Sequence, residues 1–383
     1  MERVDVVVAG CGVVGLACAW QLARRGLKVA AVDRGRFGQG TSATSFAWAN
    51  ASTKTAFEPY HRLNAAGLAG YHALATEHGA AAIGLHGRGS LQWAPAENDL
   101  LVGQLQDTYE TLRGWNYPVE WLDRVAIAAR WPALLLVEDM IGVFCGTERW
   151  VDVPRLLAWL AADFRRLGGT LIENRPIVAI RREGGRIAAV ETTAGEIETG
   201  HLLIAAGIDT PKLAALATGD AALAEEFPLQ VSPGFLVETT PVAAAKPLDV
   251  LLWAADEDGL HLQPSPRGGL LLGAGDIDNW VGDGDRPAVI EKATAALVER
   301  ARGWLPALET TGLHASGKVG RRPIPADGYS ILGPLAEAPG AWVAVTHSGV
   351  TLALEIGRLL AEEIATGNRP AALAPFRPDR FAL

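Results

Sequence analysis

The stretch that most restricts this chain is residues 3–33, "RVDVVVAGCGVVGLACAWQLARRGLKVAAVD". It opens on a short β-branched run of the kind that forms a strand buried on both faces. From Val13 the apolar residues shift to helical spacing and stop at "RRG", and "LKVAAVD" then reads as a second strand. Gly10, Gly12 and Gly15 therefore fall between a strand and a helix, the context in which Gly-x-Gly-x-x-Gly holds a dinucleotide. Gly10 makes the tight turn, Gly12 lets the backbone approach the pyrophosphate, and Gly15 lets helix and strand pack closely. The amides at the positive end of the helix then face the phosphate. Asp33 closes the second strand, where a carboxylate accepts hydrogen bonds from ribose hydroxyls and repels a 2′-phosphate. Ala19, Leu22, Gly26 and Val29 complete the fingerprint. The fingerprint alone leaves FAD and NAD both open.

The same stretch is apolar and contains "VAGC", which invites a reading as an export leader. Only "MERVDVVVAG" precedes Cys11, with mixed charge and a run too short for a leader's apolar core of roughly 7–15 residues. Gln21, Arg24 and Arg25 interrupt it before the ~20 apolar residues of a membrane span. The expectation is soluble structure, not integral to a membrane. A net charge of -9 without a basic block argues against a nucleic-acid partner. Three cysteines, Cys11, Cys18 and Cys145, are too few and scattered for a disulfide framework or a zinc site, and no metal is expected. A reducing, cytoplasmic setting fits that usage.

Downstream of Asp33 comes "RGRFGQGTSATSFAWANAS", a Gly/Ser/Thr loop in which Arg34, Thr41 and Ser42 are candidate donors to phosphate and flavin. Residues 56–82 and "ENDLLVGQLQDTYETLRGW" read as helices around a strand at "HGRGSLQWA". "VDVPRLLAWLAADFRRLGG" is a further helix, ended by Gly168 and Gly169. Two strands joined at Gly184 and Gly185 read as a hairpin, and "HLLIAAG" is a buried strand ending on Gly207. Residues 229–275 are strand-rich, a helix follows at "RPAVIEKATAALVERARGW", and "AWVAVTHSGVTLALEIGRLLAEEIATG" is a strand, a small-residue turn and a long amphipathic helix. Nucleotide-type elements at both ends of 383 residues imply one domain assembled from distant segments.

This order of motifs resembles the D-amino-acid oxidase superfamily of FAD-dependent oxidoreductases, and within it the glycine oxidase and sarcosine oxidase branch. The likeness covers essentially the whole chain. It rests on the N-terminal fingerprint, "TSATS", "LLIAAG", "LHLQPSPRGGLLLGAGDIDNW", "VGRRPIPADGYSILG" and "THSGVTLALEIGRLL". It implies a mixed α/β fold with a Rossmann-like FAD-binding domain from residues 1–85, 148–225 and 318–383, and a β-rich substrate domain from 86–147 and 226–317. It also decides for FAD, because an NAD enzyme needs no C-terminal segment returning to the site. His347, Ser348, Gly349, Val350 and Thr351 match the turn that sets backbone amides against the flavin, where a helix N-terminus stabilises the reduced anion. Val178 matches the residue whose backbone meets the adenine.

The resemblance aligns Arg322 with the arginine that binds the substrate carboxylate, with Arg321 the alternative if the register slips by one. A guanidinium fork suits a carboxylate through two parallel bonds. His261 falls at an aromatic substrate-lining position, and Trp48, Trp253 and Trp280 lie in segments expected near the pocket. No cysteine follows Cys145 and "TSATSFAWANAS" carries no histidine, so FAD is expected to be non-covalent. The two lysines of sarcosine oxidase-like members are absent, one of them replaced by Thr351. The implied reaction is hydride transfer from the α-carbon of an amino acid or N-substituted amino acid to flavin, with oxygen or a quinone-type carrier as acceptor. A homo-oligomer is compatible with this reading. The alternatives are a 2-hydroxy-acid dehydrogenase with His347 or His261 as base, a flavin monooxygenase, and a flavin-binding protein without its own chemistry.

Overall fold

The computed structural model describes residues 3–136, 138–242, 248–256, 259–282, 284, 286–306, 308 and 314–383. Its first sheet is built around β1 (Val4–Ala9), which pairs in parallel with β2 (Val29–Val32) on one side and with the strand Gly195–Ile204 on the other. Thr170–Ile172 extends the sheet beyond β2, and Ala341–Val345 extends it beyond Gly195–Ile204, both in parallel. The apolar run of β1 is explained by burial on both faces. Val6 and Val8 point into one core with α1 (Val13–Arg24) and the helices Val153–Arg166 and Gly349–Thr366, while Val7 and Ala9 point into a second core with Leu213, Ala214 and Ala217. The hairpin Ile177–Glu183 and Arg186–Thr192 forms as expected, turning at Gly184 and Gly185 with φ of +58° and +83°, and packs onto the first half of Gly195–Ile204.

A second sheet has eight strands in the order Ala315–Pro325, Leu229–Thr239, Leu270–Gly273, His261–Pro264, Leu251–Ala254, Ser90–Pro95, Met140–Cys145 and Glu120–Leu122. Period-two alternation sorts its residues. Leu252 and Leu262 face a core shared with Ala293, Leu297 and Ala301 of the helix Pro287–Trp304, and the adjacent pair Trp253 and His261 faces the opposite way, toward the first sheet. The strand Ala315–Pro325 runs antiparallel to Leu229–Thr239 along its whole length. The expected division at residue 318 therefore falls inside a strand of the second sheet. No element is assigned to "ASGKVGRRPIP" from sequence, because its glycines and prolines mask the strand that pairing with Leu229–Thr239 creates.

A small third sheet, Trp48–Ala49 with Arg149–Val151 and Leu85–His86, lies at the junction. Beside it Glu148 is fully buried and accepts hydrogen bonds from Trp48 Nε1 (3.0 Å), the amides of Ala51 and Ser52 (both 2.8 Å), Ser90 Oγ (2.5 Å) and Tyr117 Oη (3.1 Å). One carboxylate thus fastens the loop after Trp48 to a strand of the second sheet. Among the described residues no helix is long and apolar enough to cross a membrane.

Candidate active site

A cavity of about 750 Å³ lies between the two large sheets, within the ~300–1,000 Å³ typical of small-molecule sites. One end is made by the turn between β1 and α1. Gly10 has φ of +100°, and a Cβ there would stand 2.5 Å from the Ala205 carbonyl oxygen. A Cβ on Gly15 would stand 1.9 Å from the Gly10 carbonyl oxygen, so no side chain fits at either position. Asp33 is fixed by the amides of Cys11 (2.7 Å) and Gly35 (2.8 Å), which leaves carboxylate lone pairs for a ligand's hydroxyls. Ser42 Oγ accepts from the Val13 amide at 3.0 Å, and Thr41 Oγ1 donates to the Arg321 carbonyl at 2.6 Å. The second bond ties the phosphate-side turn to the strand that carries Arg322.

The other end is lined by Phe46, Trp48, Trp253, His261, Arg322 and His347. The rings of Trp253 and His261 stack at 4.7 Å with planes 11° apart, Phe46 meets His261 edge-on at 4.4 Å, and Trp48 lies 5.3 Å from Trp253. His261 Nδ1 is 2.8 Å from the Gly259 carbonyl oxygen. A carbonyl only accepts, so Nδ1 carries the proton and Nε2 is an acceptor. Burial lowers the His261 pKa to about 4 against the pull of that carbonyl, and Arg322 lowers it further. His347 lines the cavity with its surface open to that space, and desolvation by the cavity walls, then Lys54 and Arg322, bring it to about 4. Both imidazoles are neutral at pH 7.

Arg322 uses one terminal nitrogen, Nη2, for Asp278 Oδ2 (2.9 Å), Ser232 Oγ (3.2 Å) and the Pro233 carbonyl. Its Nε is buried with no hydrogen-bond partner. Asp278 Oδ1 accepts from the Phe235 amide at 2.6 Å, and burial raises the Asp278 pKa while that amide and Arg322 oppose it. The third wall is the start of the helix Gly349–Thr366, whose first-turn amides have no partner inside the helix. Thr351 Oγ1 donates to the Trp48 carbonyl (3.1 Å) and accepts from the Asn50 amide (3.2 Å), locking that helix to the loop after Trp48.

Comparison with known proteins decides what such a cavity holds. A family model described as "FAD dependent oxidoreductase" (DAO) matches residues 5–363. The chain belongs to this family. An opine oxidase component of Agrobacterium tumefaciens (strain Ach5) is 29% identical over 390 residues, covering 100% of this chain and 98% of the relative. Glycine oxidase of Geobacillus kaustophilus (strain HTA426) is 27% identical over 393 residues, covering 99% and 97%. The crystal structure of glycine oxidase from Geobacillus kaustophilus superimposes with a TM-score of 0.83 at 26% identity, covering 98% of both chains.

The residues of this FAD-dependent oxidoreductase fit the cofactor. The glycine turn has no room for a Cβ, Asp33 is oriented by two amides, and the N-terminus of an 18-residue helix meets the far side. Gly10, Gly12, Asp33, Arg34, Thr41, Ser42, Gly207, Gly349, Val350 and Thr351 all line the cavity, and Gly15 sits directly behind the turn. Arg34 is also held by Asp209 at 2.9 Å. Val178 does not line it. A β-bulge between Ile177 and Ala179 turns Val178 outward, 47% exposed, and the lining passes through Arg175, Pro176 and Ile177 instead. Trp280 is likewise 42% exposed and outside the lining, whereas Trp48 and Trp253 are in it. Arg321 and Arg322 both line the cavity, with Arg321 the more exposed.

Two residues escape sequence reasoning. Lys54 lines the cavity beside His347, and Asp278 pairs with Arg322. Only six of the 34 basic residues are lysines, so a lysine in a Gly/Ser/Thr-rich loop was a usable signal for the first. Nothing local marks Asp278 among the acids of "GAGDIDNWVGDGD".

Proposed function

We propose that this oxidoreductase dehydrogenates an amino acid or N-substituted amino acid at the carbon between amine and carboxylate, giving an imine that water hydrolyses. The observation that carries the reading is Arg322, a guanidinium with a buried, unpartnered Nε at the end of the cavity opposite Asp33, flanked by two neutral imidazoles. The relatives named for opine and glycine oxidation support the same class. Arg322 holds the carboxylate, with Asp278 keeping the guanidinium in place. The wall of Phe46, Trp48 and Trp253 excludes water and orients the α-carbon. FAD, when bound, supplies the acceptor for the hydrogen and electron pair of the Cα–H bond.

His261 Nε2 accepts a hydrogen bond from the amine. With pKa values near 4 neither histidine is an effective base at neutral pH, so the amine enters by losing its proton to water. Nearby Arg322 favours that loss. Activity therefore rises with pH as the substrate ammonium ionises, and a kcat/KM flat from roughly pH 6 to 10 would contradict the scheme. FAD is held non-covalently, a reading supported by three cysteines that lie outside the cavity lining. Those cysteines are free and buried, which supports a reducing, cytoplasmic setting. Electrons pass to oxygen or a quinone-type carrier, which assays with and without oxygen separate.

The test is to release the flavin with acid and then screen amino acids, N-methyl amino acids and 2-hydroxy acids for anaerobic bleaching of the holoenzyme. Bleaching by amines is expected, and bleaching by hydroxy acids alone overturns the reading. Arg322→Ala is expected to weaken binding of the best substrate by roughly 10- to 100-fold, the size of a charge-assisted hydrogen-bond pair. Arg322→Lys restores only part of it, because an ammonium lacks the planar fork.

A further inference from the structure

Lys54 is a cation that the reaction above leaves without a task. It lines the same end of the cavity as Phe46, Trp48, Asn50 and Thr53, on a loop that Thr351 and Glu148 hold in place. Among the described residues it forms no ion pair. The acid whose charge it feels is Glu148, and the oxygens of Glu148 already serve five donors. Burial lowers the Lys54 pKa, with Glu148 opposing. A charge enclosed by protein without a partner is costly, and an anionic ligand removes that cost. Arg322 is different, since Asp278 already neutralises it.

Lys54 and Arg322 come from different elements, the loop after Ala49 and the strand Ala315–Pro325, yet both act on the imidazole of His347. Lys54, Arg322 and His347 line one cavity together with the ring cluster of Trp48, Trp253 and His261. We propose that Lys54 is a second anion subsite and that the preferred substrate is an amino acid bearing a further carboxylate, one acid group on Arg322 and the other on Lys54. The inference rests on the amine-oxidation reading. The second acid can sit on the nitrogen, as in a secondary amine flanked by two carboxylates, or on the side chain, as in aspartate and glutamate.

Two measurements on the holoenzyme test this. In the first, redox-inert acids are titrated and followed by perturbation of the flavin spectrum, with acetate and butyrate set against succinate and glutarate. The wild type is expected to bind the better diacid roughly 10- to 100-fold more tightly than its monoacid counterpart, and Lys54→Met to erase that difference while leaving monoacid binding unchanged. Lys54→Arg retains most of the preference. In the second, glycine, N-methylglycine, iminodiacetate, aspartate and glutamate are compared by anaerobic reduction, and the better of the last three tells which position carries the second acid.

Equal wild-type affinity for monoacids and diacids overturns the proposal, even if Lys54→Met fails to hold flavin. So does a Lys54→Met enzyme that binds all acids as before and differs only in flavin potential or oxygen reaction. If no amine reduces the wild type while diacids still bind preferentially, the amine reading fails and the Lys54 subsite stands.

Discussion

His261 and His347 titrate near 4 in the folded chain, against 6.5 for an unperturbed imidazole. Between those values the unfolded chain takes up protons that the folded chain does not, so acidification through that window costs stability. The thermal midpoint is expected to fall steadily from about pH 6.5 to about pH 4, and His347→Gln to flatten part of that fall. A midpoint independent of pH over the window would show that the imidazoles are not held neutral. At this scale legibility depends on range. Gly10, Gly12, Gly15 and Asp33 were readable because they answer to one turn and two adjacent strands. Asp278 was not, and Lys54 stood out only as a scarce residue type, because their places are set by side chains about 40 and nearly 300 residues away, Arg322 and His347. The outward side chain of Val178 reflects a single bulge, since one residue of register moves a strand's side chain to the other face.

Among elements, the turn between β1 and α1 has the least room for change. Gly15→Ala sets a methyl group 1.9 Å from a backbone oxygen that cannot move without opening the turn. Purified Gly15→Ala protein is expected to carry little flavin, read as the ratio of 450 to 280 nm absorbance, and full occupancy would contradict the clearance argument. Most helices and the strand-turn-helix at the C-terminal end were legible from periodicity. The strand Ala315–Pro325 was not, although it carries Arg322. Its glycines are clearances for neighbours: a Cβ at Gly317 would strike the Phe235 ring and one at Gly320 would strike Thr44. Glycine weakens the strand signal in the sequence, whereas the sheet needs it there so that another segment can lie against it.

Across the whole molecule, Glu148 joins the two halves of the cavity. Glu148→Gln keeps its shape but turns one acceptor into a donor facing other donors, and unfolding is expected to require roughly 2–3 kcal/mol less. Because the same carboxylate holds the amides of Ala51 and Ser52, the preference for diacids should fall together with stability. A variant as stable and selective as the wild type would show that the joint lies elsewhere. The division of the chain into sheets was legible only in outline, since which strands share a sheet is set by pairings across more than a hundred residues, such as Leu251–Ala254 with Ser90–Pro95. The cavity's two ends also have a consequence in time. Residues 10–15 are made more than 300 residues before residues 347–351, so a growing chain displays a dinucleotide turn long before it possesses the helix that closes the flavin site. A stably bound flavin therefore reports that the turn at residues 10–15 and the helix Gly349–Thr366 have come together.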